Sequence, residues 1–514
     1  MITLVLNVGL KNTRCIAFDM EGQVLSQVVT PVHTLVSNEK VEQVPGDWVS
    51  LSHQVICSVV KELGSRAEDI GLMTVTTSAS CLVVVDKEGK PLGNSILVSD
   101  TRSTQECAEL EKLPQFQRLK TRGFKASPDL MLPKILWLKK HKPRDFEKAY
   151  KFLNVGDYLC GYLTGEFVTD PSNASKFYYD SELESYPKEL YSSLGIDMES
   201  LPQVIAPGQR VGVLRSEVSS ELGIPAGKCR LVMSTYDALA AVAGNGAFEA
   251  GDAVDVSGTV TSFRVVSENF VIDSKKRFYT SSHVNANQWL LGGSNNLGGG
   301  VIEWLRLLLY KEKENPYELM EKDALSRSAC PGGMIFLPYL LGERTPIWNS
   351  DCRGVFFGIN RAHEAPDFSR AVFEGVAFSV AHIAESIKEY DVPINSVTAA
   401  GGLSRIGLIN QIKSDVLGVP VYQFKNFETT AIGAALIALY GEGHFSSIKE
   451  AFEKFCAFEK SYEPDFKNHQ IYKEYFELYK SLYHSLLGVY AQRAKILNAM
   501  HPHGINELLM TDNL

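Results

Sequence analysis

The chain has 514 residues, of which 45% are hydrophobic, 22% charged and 10% aromatic. At roughly 100–200 residues per domain it is too long for one compact core, and its composition excludes disorder and low-complexity repeats. With 51 Lys+Arg against 60 Asp+Glu the formal net charge is −9, a poor starting point for binding nucleic acid or an anionic membrane, so any basic site must be local.

The nine cysteines are odd in number, scattered, and form no C-x-x-C, which reads as a reduced, cytoplasmic inventory rather than a disulfide framework or zinc site. No run of about 18 apolar residues exists to span a membrane. The apolar start Met1–Leu6 has no basic flank and meets Asn7 and Gly9 at once, so a strand is expected, not a secretory signal.

In chain order, short apolar runs at Ile2–Leu6, Cys15–Phe18 and Gln23–Val29 predict strands separated by Gly9 and by Asp19-Met20-Glu21-Gly22. Apolar residues at near-helical period predict a helix from Trp48 to Leu63. A hairpin signature recurs at Leu82–Val85 with its turn at Asp86–Gly89, and Leu231–Met233 reads as a further strand. Strands restart at Ala253–Ser257 and Thr261–Val266. Leu4–Gly9 and Val254–Gly258 each run an apolar strand into a polar-Gly turn, a short hint of internal duplication. A helix capped at Asp367 carries one apolar stripe. Another from Thr429 places Ala431, Ala434, Ala435 and Ala438 on one face, where a second backbone can approach closely. A last amphipathic helix carries an aromatic stripe from Tyr472 to Tyr490, read as core packing. The class is α/β, with a boundary between residues 247 and 248, halves at 1–247 and 248–490, and a tail at 491–514.

No G-x-x-x-x-G-K-[ST], H-E-x-x-H or G-x-S-x-G occurs, which disfavours P-loop NTPase, metalloprotease and α/β-hydrolase readings. What remains are glycine turns spread over the chain: Asn7-x-Gly9, Ser257-Gly258-Thr259, Gly298-Gly299-Gly300 and Gly401-Gly402. A turn without a Cβ lets backbone N–H groups approach phosphate oxygens, and two such turns, one per half, can grip a polyphosphate across a cleft. Each taken alone is equally an ordinary hairpin turn. Asp237 follows the strand Leu231–Met233 and opens a small-residue helix, the place where α/β sheets put catalytic carboxylates; a plain helix cap is the alternative.

Taken together these residues resemble the FGGY family of carbohydrate kinases, within the actin-like ATPase superfamily and closest in pattern to its xylulose kinases. Asn7-x-Gly9-x-x-x-x-Arg14-x-x-x-Phe18-Asp19 resembles the family's opening D-x-G-T-x-x-x-R-x-x-x-F-D. Asp100-Thr101-Arg102, Pro133-Lys134-x-x-Trp137, Asp170-x-Ser172-x-Ala174, Tyr236-Asp237-Ala238, Ser257-Gly258-Thr259, Gly342-Glu343-Arg344-Thr345-Pro346 and Gly401-Gly402-x-Ser404 follow in family order. The resemblance implies two actin-like (ribonuclease H-like) domains, each a mixed five-stranded sheet flanked by helices, closing over ATP, Mg²⁺ and a sugar or polyol. It implies that Asn7, Gly9, Arg14, Gly258, Thr259, Gly299, Gly401 and Gly402 serve the nucleotide, and that Asp237 is the general base. It places Ser78, Ala79, Ser80, Asp100, Arg102 and Asp129 with Asp237 around the substrate. The metal-holding residues stay open, and a homodimer would be ordinary for such a family.

Two departures matter. The first turn carries Asn7 and Leu10 where the family has Asp and Thr or Ser. Removing one negative charge about 5 Å from a divalent ion costs roughly 6–7 kcal/mol of Coulomb attraction at an effective dielectric near 20, before screening. That predicts an impaired or altered kinase, or a binding protein of the same fold. Thr76-Thr77-Ser78-Ala79-Ser80-Cys81 replaces the S-G-Q-M-H-G of xylulose kinases and the N-Q-R-E-T of glycerol kinases. The missing Arg-Glu pair argues against glycerol. A pentulose such as xylulose is the first expectation, and gluconate or another sugar acid the next.

Overall fold

The computed structural model describes residues 1–425 and 428–500. His501-Pro-His503 and the rest of 501–514 lie outside the described residues. Two sheets organise the chain. The first contains β1 (Ile2–Val8), β2 (Asn12–Phe18), β3 (Val24–Pro31), β4 (Ile70–Thr77), β5 (Arg210–Val213) and β6 (Arg230–Met233), in the order β5-β6-β4-β1-β2-β3. The second contains β7 (Asp252–Ser257), β8 (Thr261–Ser267), β9 (Tyr279–Ser282), β10 (Trp289–Ser294), β11 (Ser396–Ala400), β12 (Val421–Phe424) and β13 (Phe458–Tyr462), in the order β9-β10-β8-β7-β11-β12-β13.

Within each sheet lies the same five-stranded unit: an antiparallel meander followed by two parallel strands. It is β3-β2-β1-β4-β6 in the first half and β10-β8-β7-β11-β12 in the second. The expected five strands are therefore present twice, and edge strands β5, β9 and β13 widen the sheets to six and seven. The parallel strands are buried on both faces, so they read as nearly unbroken apolar runs.

Helix α1 (Pro45–Leu63) crosses from β3 to β4 and buries Trp48, Val55, Ile56 and Val59 on the first sheet. Helices α2 (Met131–His141), α3 (Asp237–Ala243), α4 (Gly299–Leu309), α5 (Ala365–Lys388), α6 (Gly407–Leu417), α7 (Thr429–Gly441) and α8 (Phe466–Met500) follow. Helix α5 starts two residues before the expected cap. Glu364 caps it, and Asp367, three residues on, returns its carboxylate to the Glu364 N–H at 2.8 Å. The aromatic stripe of α8 is core, with Tyr472, Tyr479, Tyr483 and Tyr490 buried against the second sheet's layer. That helix runs on through residues 491–500, where a tail was expected.

The backbone that the small face of α7 admits is α3. A Cβ on Gly433 would lie 1.8 Å from the carbonyl oxygen of Ala240, and one on Gly244 1.8 Å from that of Thr429. This glycine-to-backbone contact joins the halves. Around it Val5, Ile16 and Phe18 share one apolar cluster with Ala431, Ala434 and Leu436. All nine cysteines are free. Among the described residues no helix is long and apolar enough to cross a membrane.

Candidate active site

β1, β4 and β6 are adjacent and parallel, and their carboxyl ends bring Asn7, Ser78 and Asp237 to one edge of the first sheet. The Asp237 segment is held from below. Thr76 Oγ1 donates to the carbonyl of Thr235 at 2.8 Å, and Thr235 Oγ1 donates to the buried carboxylate of Asp170 at 2.9 Å. Asp170 in turn accepts from the N–H groups of Ser172 and Asn173.

Asp237 is the first residue of α3, with Tyr236 as its cap. Its carboxylate accepts from the Ala238 N–H at 2.7 Å and from Ser78 Oγ at 3.1 Å. The side chain is half-buried, and burial raises its pKa more than these two bonds lower it. An ionised carboxylate offers about four lone-pair positions, so room for a substrate hydroxyl remains.

The remaining wall residues divide. Ser78 and Ala79 are half-buried beside Asp237, whereas Ser80 is buried with φ of 62°. Its N–H donates to Asn154 Oδ1 at 3.2 Å, and its carbonyl receives Lys134 Nζ at 2.6 Å. Lys134 also reaches the carbonyl of Asp129 at 3.3 Å, tying the two wall loops together; burial pushes its pKa down to about 8. The Asp129 carboxylate accepts from Ser127 Oγ.

Asp100 and Arg102 bond to each other. Arg102 Nε and Nη2 meet Asp100 at 2.8 and 2.6 Å, the Val41 N–H meets it at 2.6 Å, and the guanidinium lies over Trp137 and pairs with Glu42. Arg102 lines a separate cavity with Glu42 and Trp137. No hydrogen bond or ion pair joins this pair to Asp237 among the described residues.

Across the cleft a cavity of about 1010 Å³ is lined by Ser257, Gly258, Thr259, Gly299, Gly300, Gly402 and, from the first half, Lys11. The two glycine hairpins thus open onto one space. The Gly299 N–H donates to the Gly258 carbonyl at 2.8 Å, and a Cβ at Gly299 would stand 2.5 Å from that oxygen. Gly401 has φ of 80° and packs under the Ser257 carbonyl. Gly9 closes the first turn on Asn12 at 2.9 Å. Arg14, expected at the nucleotide, pairs with Glu428 of the other half at 2.7 Å.

Sequence reading passed over the group beneath the second hairpin. Lys413 and Asp255, 2% and 0% exposed in their side chains, form an ion pair. Ser257 Oγ donates to Asp255 at 2.5 Å and accepts from Lys413 at 3.2 Å. An aspartate inside the apolar strand Ala253–Val256 was the available signal; Lys413 sits among Asn410, Gln411, Ser414 and Asp415 and gave none. Sequence reading also passed over Arg264, the polar residue between the core-facing Phe263 and Val265. Among the described residues no three His, Cys, Asp or Glu are gathered to hold a metal.

Comparison with known proteins agrees with this geometry. Residues 2–244 match the N-terminal domain model of the FGGY family of carbohydrate kinases, and residues 253–442 match its C-terminal domain model. A xylulose kinase of Bacillus subtilis is 28% identical over 449 residues, 86% of this chain and 88% of its own. A gluconokinase of the same organism is 25% identical over 455 residues, 86% and 88% of the two chains. The crystal structure of a xylulose kinase from Rhodospirillum rubrum superimposes with a TM-score of 0.88 at 23% identity, covering 96% of this chain and 100% of that one, a likeness of fold. The chain belongs to the FGGY family of carbohydrate kinases.

Proposed function

We propose that the protein transfers the γ-phosphoryl group of ATP to a hydroxyl of a sugar, with Asp237 as general base and a pentulose such as xylulose as the first acceptor. The observation that carries this reading is a half-buried carboxylate at the strand ends of one half, bonded by Ser78, together with a glycine-lined cavity to which Lys11 of the first hairpin and the Ser257–Thr259 turn of the second both contribute. A sugar hydroxyl has a high pKa, so Asp237 takes its proton as the new O–P bond develops, and the burial that raises its own pKa makes it a better acceptor. Backbone N–H groups of the Ser257–Thr259 turn cradle the phosphates, and Lys11 adds a positive charge at the same cavity.

Mg²⁺ fits as an ion carried on the ATP phosphates, where it neutralises their charge. Such ions keep their waters and need only one or two protein oxygens, and Asn7 and Asp237 are the groups on this edge that would hold those waters. The halves at 1–247 and 248–490 act as the two jaws. A cytoplasmic setting suits nine unpaired cysteines.

A second reading, a sugar acid such as gluconate as acceptor, is favoured by the cationic character of the cleft described below. An ADP-release screen of the full chain over pentuloses, sugar acids and neutral polyols tests the assignment. Turnover with at least one is expected. No turnover, with only a thermal shift from one sugar, replaces the kinase by a binding protein of the same fold.

A further inference from the structure

Strand β8 has two faces. Phe263 and Val265 point into the second half's core, so Ser262, Arg264 and Val266 share the other face. Val266 packs with Leu239 and Val242 of α3, with Tyr236 against them. That face therefore looks at the helix that begins with Asp237, and Arg264 stands two residues closer to the phosphate turn than Val266.

The sheet register builds a notch there. Gly292 of β10 is paired on one side with Arg264 and on the other with Tyr279. A Cβ at Gly292 would lie 2.0 Å from the Phe263 carbonyl oxygen, so the middle of this row carries no side chain. Arg264 and Tyr279 flank a position that carries no side chain. From the first half, Lys125 Nζ reaches the Tyr279 hydroxyl at 3.2 Å and lies over the rings of Tyr279 and Trp348.

Charge in this notch is mostly positive: Lys125, Arg264 and Arg344 stand around Tyr279 against the single Asp129 carboxylate whose charge reaches it. The one hydrogen bond from the Arg264 side chain among the described residues runs from Nη1 to the Phe263 carbonyl at 3.1 Å, which leaves most of its five donors unused. Arg344 is held by Nη2 on the Asn295 carbonyl at 2.9 Å. Neither guanidinium makes an ion pair among the described residues. Burial, and after it the positive charge of Arg344, holds the Arg264 pKa below its ordinary value. Neither residue lines the nucleotide cavity, so the charge they lack is not supplied by the phosphates seated there.

We propose that Arg264, reinforced by Arg344, is an anion subsite at the acceptor end of the cleft, selecting sugars that carry a carboxylate, as an aldonic acid does. The planar five-donor fork suits a carboxylate held by two parallel bonds. The acceptor hydroxyl then meets Asp237 while the acid end lies over Gly292. This rests on the kinase reading above and favours its second acceptor class, the sugar acids, over the pentulose.

The test compares kcat/KM for gluconate and for xylulose in the wild type, Arg264→Met and Arg264→Lys. Loss of a charge-assisted pair should lower the gluconate-to-xylulose ratio at least about tenfold in Arg264→Met, with partial recovery in Arg264→Lys. Equal losses for both sugars, or a ratio that does not move, overturn the subsite. Absence of turnover with every acceptor contradicts the kinase reading instead. In that case a gluconate-induced thermal shift, present in the wild type and lost in Arg264→Met, supports the subsite, and a shift unchanged in the variant or absent from both removes it.

Discussion

The two glycine hairpins occupy equivalent places in the duplicated fold, β1–β2 in one half and β7–β8 in the other, yet they are built differently. The second rests on a polar foundation: Lys413, Asp255 and Thr261 all reach Ser257, and Gly299 and Gly401 close around the turn at distances that exclude any side chain. The first rests on apolar packing. Leu10 lies against the first core, its carbonyl receives Gln43 Nε2 at 2.9 Å, and a Cβ at Gly9 would meet nothing closer than 3.4 Å. Near the end of β1 it carries Asn7, uncharged where the family carries a carboxylate. The second turn is a rigid seat for phosphate. The first, with Asn7 and Leu10, offers no negative charge to a metal, and its charge at the cavity is the cation of Lys11.

Removing one partner of the buried pair breaks this contrast most severely. Lys413→Met leaves Asp255 charged and unpaired, and chemical denaturation should register about 3–5 kcal/mol of lost stability. Adding Asp255→Asn should recover most of it; a double variant as unstable as the single one would show that the two charges do not act as a pair. Next in size, Gly401→Ala forces a left-handed backbone and a Cβ 2.5 Å from the Ser257 carbonyl. It should cost about 1–3 kcal/mol and raise the KM for ATP, while Gly9→Ala changes stability by about 0.5 kcal/mol or less. Equal costs at the two glycines would erase the difference between the turns. The smallest expected change is a gain. Asn7→Asp restores the missing charge, partly offset by its cross-strand neighbour Arg14, and should lower the Mg²⁺ concentration needed for half-maximal activity by about tenfold. No change in that titration would mean that the first turn does not touch the metal.

Much of this architecture was legible in the residues. Alternating and unbroken apolar runs located β1, β2, β3, β6, β7 and β8 but passed over β4 and most of the second sheet, and the small face of Thr429–Gly441 foretold a close backbone contact without saying that α3 makes it. Asp237 and the Ser257–Thr259 turn could be placed because a strand end followed by Gly or by a small-residue helix is a local signal. For Asp100 and Arg102 the sequence did not show that a carboxylate two residues from an arginine can bond to it directly, as the two do here. Arg264, Tyr279 and Gly292 were invisible because the notch exists only in the register between three strands. The Lys413–Asp255 pair is likewise separated by more than a hundred residues and meets only when the second sheet closes on α6.

The account depends most on Asp237. Phosphoryl transfer by Asp237→Asn, read by ADP release across pH alongside the thermal shift produced by ATP, tests it directly. The wild-type rate should fall as pH drops through a carboxyl pKa above the ordinary value of about 3.9, because burial makes the base hold its proton more tightly. The variant should lose about 10²–10⁴-fold in kcat together with that acid limb, and keep its ATP-induced shift. Turnover within a few-fold of the wild type, with the same pH profile, would contradict the account.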